Sequence, residues 1–156
     1  MYLLIYEIVI IFLIPFALVK LLYRSLIKPV HLQYINERFA LYTKEKKFIW
    51  KKRETVWFHC VSVGETKAIA NLIEILLKRH PKTYFLISHG TFTGRNTKLP
   101  KSPRINRVYL PYDTKGASKR FLSFYQPKMG LILETELWFN LINQCSLNNI
   151  PIHLVN

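Results

Sequence analysis

Residues 55–66 read TVWFHCVSVGET, and the fold turns on how that stretch changes character along its length. Thr55 to Cys60 is a short apolar run of the length and composition of a buried strand. Residues 65–80 come next, with Ala68, Ile69, Leu72, Ile75 and Leu76 on one face of a helix, and Pro81 stands just past its end. An apolar strand that feeds an amphipathic helix is the opening of a βαβ unit.

The alternation continues outward from there. Residues 84–88 (YFLIS) are a second strand, and residues 90–107 are polar, basic and Pro-containing, so a loop or weak helix is expected. Arg95, Lys98, Lys101, Arg104 and Arg107 in it suit phosphates, a membrane or plain solvent. A short strand at 108–110, a helix at 116–125, a strand at 129–133, a helix at 137–147 and a strand at 150–155 complete the pattern. Apolar strands separated by helices of this length predict a Rossmann-like parallel sheet with helices on both faces. No internal repeat or low-complexity tract interrupts it.

Ligands of open α/β sheets bind beyond the carboxyl ends of the strands. Four segments are expected there: Val61 to Glu65, His89 to Gly94, Pro111 to Asp113, and Glu134 to Glu136. Three of them carry carboxylates and two offer Gly and hydroxyl groups, which makes a convergent site rather than scatter.

The first 23 residues are almost continuously apolar, interrupted by Glu7, Pro15 and Lys20. That is just the length a bilayer core requires, about 20 residues. Lys20, Arg24 and Lys28 come after the apolar run rather than before it, the reverse of a signal peptide, and would keep the rest of the chain on the cytoplasmic side. Glu7 and Pro15 are awkward in hydrocarbon, so a buried or interfacial helix of a soluble domain stays open beside a single span or deep interfacial anchor. Residues 24–53 form a basic, aromatic-laced juxtamembrane segment suited to anionic headgroups. The whole chain of 156 residues carries a formal net charge of +14, which calls for an acidic partner. No zinc spacing, helix-turn-helix or RNA-binding signature points to nucleic acid, and no Gly-x-Gly-x-x-Gly or P-loop comes after the first strand. Cys60 and Cys145 make neither a metal pattern nor a disulfide framework, so no metal and no cofactor are expected.

The strand-end segments also carry a resemblance. Ser62-Val-Gly-Glu-Thr66, Thr91-x-Thr-Gly94, Tyr109-Leu-Pro-Tyr-Asp113 and Glu134-Thr-Glu-Leu-Trp-x-Asn140, with Glu37-Arg38-Phe39 upstream, resemble in order and spacing the signature motifs of bacterial Kdo (3-deoxy-D-manno-oct-2-ulosonic acid) transferases. The resemblance covers essentially the whole chain and implies the N-terminal, acceptor-binding half of a two-Rossmann-domain (GT-B) glycosyltransferase. It implies CMP-Kdo as donor, the lipid A precursor lipid IVA as acceptor, and the cytoplasmic face of the inner membrane as location. It places the general base at Glu65 and a transition-state-stabilising carboxylate at Glu134. Ser62, Gly64, Thr91, Thr93, Gly94 and Glu136 would bind substrate. Two motifs depart from the family's usual form: Ser88 to Gly94 lacks its Met and Pro, and Phe139 stands where Pro is usual. The family continues beyond Asn156 into a nucleotide-sugar-binding domain. The expectation is therefore that residues 54–156 form a truncated acceptor domain, inactive unless a separately encoded donor domain joins it.

The chemistry fits those roles independently. Displacing CMP from an anomeric carbon with inversion needs a base for the attacking hydroxyl and no covalent intermediate. A second carboxylate would stabilise the positive charge that develops on the sugar. The plainer readings remain beside it: Glu65 as a first-turn helix acid, Glu134 and Glu136 as helix N-terminal acids, and His59 as a satisfied core histidine. The alternative is a noncatalytic, membrane-bound binding module or a degenerate remnant of that enzyme.

Overall fold

The computed structural model describes residues 2–43, 53–134 and 137–155. Most of the basic juxtamembrane segment's second half, residues 44–52, lies outside them. Among the described residues the sheet has five strands: β1 (Thr55–Cys60), β2 (Tyr84–His89), β3 (Ile105–Tyr109), β4 (Met129–Leu133) and β5 (Ile152–Val155). All neighbours pair in parallel, in the order β3-β2-β1-β4-β5. The α-helices described with them are α1 (Tyr2–Ile27), α2 (Ile35–Arg38), α3 (Val63–Arg79), α4 (Phe92–Asn96), α5 (Lys115–Tyr125) and α6 (Phe139–Leu147). The Rossmann-like α/β fold expected from the alternation is the one observed.

Side-chain alternation along the strands explains why helices cover both faces. Trp57, Leu86 and Val108 point to one face, where Phe121, Tyr125 and Leu141 of α5 and α6 complete a core. Phe58, Cys60, Phe85 and Ile87 point to the other, against Ile69 and Ile73 of α3. Trp57 has no exposed surface, and truncating so large a core ring costs about 3–5 kcal/mol. Its indole fits because β4 carries glycine beside it: a Cβ on Gly130 would stand 2.7 Å from Trp57 Cε3.

The boundaries differ from the sequence reading in instructive places. Helix α3 starts at Val63 rather than Glu65, because Ser62 caps it. The 90–107 stretch holds the one-turn helix α4, and β3 begins three residues earlier than its apolar core suggests. Asn106 and Arg107 disguise that strand in sequence. The α6 helix begins at Phe139, two residues later than the sequence predicts.

The apolar N-terminal helix does not stand away from the rest. Tyr6, Glu7, Ile10, Ile14, Ala17, Leu18, Leu21 and Ser25 are its half-buried or buried positions, one stripe at helical spacing facing the domain. At one end Tyr6 Oη donates to Asp113 (2.8 Å), its ring meets Phe139 edge-on at 5.1 Å, and Glu7 Oε1 accepts the Lys115 N–H (3.2 Å). Further along, Ala17, Leu21 and Arg24 lie over the loops that leave β1, β2 and β3. The helix thus crosses the carboxyl edge of the sheet. Pro15 sits within it without ending it.

Candidate functional site

The strand order reverses between β1 and β4, and a crevice opens where chains leave such neighbours in opposite directions. His59 of β1 faces Ile132 of β4, so the loops beginning at Val61 and Glu134 emerge side by side. Sequence and topology therefore bring the two carboxylates singled out above, Glu65 and Glu134, to the same switch point.

They are held very differently. Ser62 and Glu65 form a reciprocal capping box at the start of α3. The Ser62 hydroxyl accepts the Glu65 N–H (3.3 Å), and Glu65 accepts the N–H groups of Val61 (2.7 Å) and Ser62 (3.0 Å), one on each carboxylate oxygen. Glu65 is only 5% exposed. The first-turn role read from sequence is thus its observed packing. Glu134 lies exposed at the end of β4 with φ of 60°, and among the described residues its carboxylate has no hydrogen-bond partner. Glu136 lies outside the described residues.

The Thr91–Gly94 turn closes over the β1–α3 loop. Thr91 caps α4, accepting the Gly94 N–H (3.1 Å), while its hydroxyl donates to the Val61 carbonyl (2.8 Å). Gly94 is required by contact: a Cβ there would stand 2.9 Å from Val61 O and 3.2 Å from Ser62 O. Gly64 is different, since the nearest atom to an added Cβ is Ser62 Oγ at 3.7 Å. Space is open beside it. Thr93 is exposed, its hydroxyl 3.4 Å from that of Thr91. Ser62, Gly64, Glu65, Thr91, Thr93 and Gly94 are therefore one cluster, and Glu134 enters from the neighbouring loop.

Several other motif residues hold this edge together rather than face a ligand. Arg38 donates to the carbonyls of Gly90 (2.7 Å) and Leu110 (3.4 Å) and lies over the Tyr109 ring. Glu37 pairs with Arg95 and also accepts the Tyr109 N–H (2.9 Å). Asp113, in sequence a crevice carboxylate, is buried and accepts from Tyr6, Ser118 and the N–H groups of Asn140 and Leu141. It caps α6 from a distance of 27 residues, a partnership invisible to local spacing.

The basic stretch after β2 suits phosphates, membrane or solvent by sequence, yet three of its arginines tie the protein's own parts together. Arg95 pairs with Glu37, as above. Arg104 donates to the carbonyls of Leu77, His80 and Thr83. Arg107 donates to those of Gly94 and Thr97, and its Nε to His89 Nε2 (3.2 Å). Burial, with Arg107 beside it, lowers the His89 pKa to about 3, so the ring is a neutral acceptor. Burial likewise brings His59 down to about 4. Its Nδ1 meets the Ser88 hydroxyl at 2.9 Å, while its Nε2 is buried with no partner among the described residues, so the expected satisfied core histidine is satisfied there on one side only. The thiols of Cys60 and Cys145 are buried and pushed up to about 12, as befits inert packing groups.

Between α1 and the sheet edge lies a cavity of about 370 Å³, lined among others by Lys20, Arg24, Arg38, Val61, Gly90 and Trp138. Basic groups from the helix and the strand-end loops of the cluster share its wall. It is the hollow that the crevice offers beneath the helix.

The chain is similar to known proteins. A family model described as 3-deoxy-D-manno-octulosonic-acid transferase (kdotransferase) matches residues 33–156. A 3-deoxy-D-manno-octulosonic acid transferase of Haemophilus influenzae is 33% identical over 135 residues, 85% of this chain and 30% of that protein. One from Bordetella pertussis is 36% identical over 108 residues, 65% of this chain and 24% of its own length. A bifunctional glycosyltransferase/methyltransferase of Fusobacterium nucleatum is 34% identical over 141 residues, 86% of this chain and 21% of the relative. The chain thus spans less than a third of the length of these curated relatives. The glycine cluster, the capping-box glutamate and the α2 motif all fall within the matched residues, and the chain belongs to the 3-deoxy-D-manno-octulosonic-acid transferase family.

Proposed function

We propose that this chain is the acceptor-side domain of an inverting transferase that moves Kdo from CMP-Kdo to lipid IVA at the cytoplasmic face of the inner membrane. The observation that carries the reading is that Glu65 and Glu134 stand in the segments that follow β1 and β4, the adjacent strands of the topological switch point. The acceptor hydroxyl attacks the anomeric carbon of Kdo, the bond from that carbon to the phosphate oxygen breaks, and CMP leaves. Glu65 takes the hydroxyl proton. Two backbone N–H groups fix its carboxylate in place, so no side-chain entropy is lost when the acceptor arrives. Glu134, unpartnered among the described residues and exposed, stabilises the positive charge on the sugar in the transition state. Gly64 leaves room for the acceptor to approach, Ser62, Thr91, Thr93 and Gly94 shape the wall around it, and Glu136 is proposed as a substrate-binding residue on its motif alone. Residues 1–23 hold the domain to the membrane, residues 24–53 lie along its headgroups, and residues 54–156 form the acceptor domain. The nucleotide sugar is held by a further domain, supplied in the same or a separate chain.

A second reading is favoured by one observation: Glu65 is buried and both of its oxygens already serve the cap of α3. On that reading the domain is a membrane-bound binding module without catalysis. Kdo transfer from CMP-Kdo to lipid IVA in detergent distinguishes the two, measured for this chain alone and with a donor domain added. Transfer only in the mixture supports the two-domain enzyme. Acceptor binding with no transfer in either case supports the binding module.

A further inference from the structure

We propose that α1 lies in the plane of the membrane, its outer face sunk into one leaflet of an anionic phospholipid bilayer, rather than crossing that bilayer. The helix has two unlike faces. Its inner stripe runs from Tyr6 to Ser25, roughly 28 Å at 1.5 Å per residue, and meets the domain at Tyr6 and Glu7 near one end and around Ala17, Leu21 and Arg24 near the other. A spanning helix leaves its domain at the membrane surface and meets lipid on all sides. This one has protein against one side near both of its ends.

The opposite face is apolar and open. Leu4, Phe12, Phe16 and Leu26 are 65%, 70%, 72% and 84% exposed, with Ile8, Val19 and Tyr23 between them on the same ridge. A contiguous apolar ridge of this length is not left to water in a soluble domain. The one acidic residue of α1, Glu7, is turned inward, where it accepts the Lys115 N–H, and so is absent from the outer face. Lys20 and Arg24 emerge on the flank between the faces and Lys28 just beyond the end, where their charges reach headgroup phosphates while the stems stay in the apolar layer. An apolar ridge bordered by cations and free of anions fits an anionic lipid surface. Crossing the bilayer would instead strip the Tyr6–Asp113 and Glu7–Lys115 bonds and carry the Glu7 carboxylate into hydrocarbon. With α1 in the plane, the sheet's carboxyl edge and the cavity beneath the helix face the bilayer, so a lipid headgroup reaches them sideways.

Nitroxide labels on the full chain, in vesicles of phosphatidylcholine with phosphatidylglycerol, test this by power-saturation depth measurements. Single variants Leu4→Cys, Phe12→Cys, Val19→Cys and Leu26→Cys are labelled one at a time. The unaltered chain serves as the blank, because Cys60 and Cys145 are buried. The expected result is four similar depths, all roughly 5–10 Å below the phosphates. Depths that differ by roughly 15 Å, with Phe12→Cys and Val19→Cys near the bilayer centre and Leu4→Cys and Leu26→Cys near its two surfaces, would establish a span and overturn the proposal. Labels shielded from both oxygen and aqueous relaxant, or no vesicle binding at all, would mean that protein covers the ridge, and would overturn it equally. No transfer assay enters the measurement, so its outcome is separate from that of the catalytic reading.

Discussion

Glu65 and Glu134 follow neighbouring strands of one sheet, yet the first is fixed by its own helix cap and the second has no carboxylate partner among the described residues. The difference lies in the segment after each strand. After β1 the chain turns directly into α3, whose first N–H groups need acceptors, and Ser62 and Glu65 supply them. After β4 the chain enters a left-handed residue, Glu134 itself, and α6 does not begin until Phe139. The cap that α6 needs comes from Asp113 instead. Glu134 is therefore relieved of structural duty, whereas Glu65 has one whatever else it does. A rigid carboxylate suits a base that must meet a proton at a fixed place, and a free one suits electrostatic stabilisation of a moving charge.

The most severe test of this contrast is Glu65→Gln in the presence of the donor domain. Transfer is expected to fall by about 10²–10⁴-fold, the usual worth of a positioned base. Stability should fall by about 1–2 kcal/mol, because an amide can accept only one of the two N–H bonds and turns its NH₂ toward the other. A loss of stability with full turnover would leave Glu65 as a cap and nothing more. Glu134→Gln should reduce transfer by about 10²-fold while moving stability less than about 0.5 kcal/mol, as a partnerless surface residue would. Unchanged transfer there would remove the stabilising role.

The histidines beneath the site give a third test. His59 and His89 have folded pKa values of about 4 and about 3, below the ordinary 6.5, so the unfolded chain binds more protons between those limits. Their contribution is fully present above pH 6.5 and is lost as the pH falls toward 4 and 3, by at most about 1.4 kcal/mol per pH unit for each ring. The melting temperature should drop steadily from pH 7 to pH 5 and do so less in His89→Gln. A flat profile would contradict the burial described. Two glycines carry the contrast between packed wall and open space. Gly94→Ala should cost about 1–3 kcal/mol in denaturant unfolding, through contact with two backbone carbonyls. The smallest effect belongs to Gly64→Ala, neutral or stabilising by about 0.5–1 kcal/mol, as alanine is in a helix. Reduced transfer by a fully stable Gly64→Ala protein would place the acceptor beside that position.

Much of this is legible in the residues. The strands at 55–60 and 129–133 carry uninterrupted apolar runs, and both appear with the bounds expected. The fold class comes from the alternation alone, because period-3.6 faces between buried strands leave few other arrangements. The cluster at 62–65 and 91–94 is legible because glycines and hydroxyls gather at the carboxyl ends of two expected strands, where Ser62 and Thr91 also serve as helix caps. Strand β3 reads too short because Asn106 and Arg107 interrupt its apolar run; Arg107 is there to hold α4 and His89.

Local order is thus written in the chain: which segments are strands and helices, which face of each is apolar, and which residue types stand at the strand ends. The partners of those residues come from the packing of the folded chain. Asp113 finds Asn140, Arg38 finds Gly90, and Glu7 finds Lys115 across separations of dozens of residues. The posture of α1 belongs with them, for an apolar helix reads alike in sequence whether it crosses a membrane or lies along it. Only the side against which a domain is packed breaks that symmetry, because packing is a property of two surfaces and a sequence describes them one at a time.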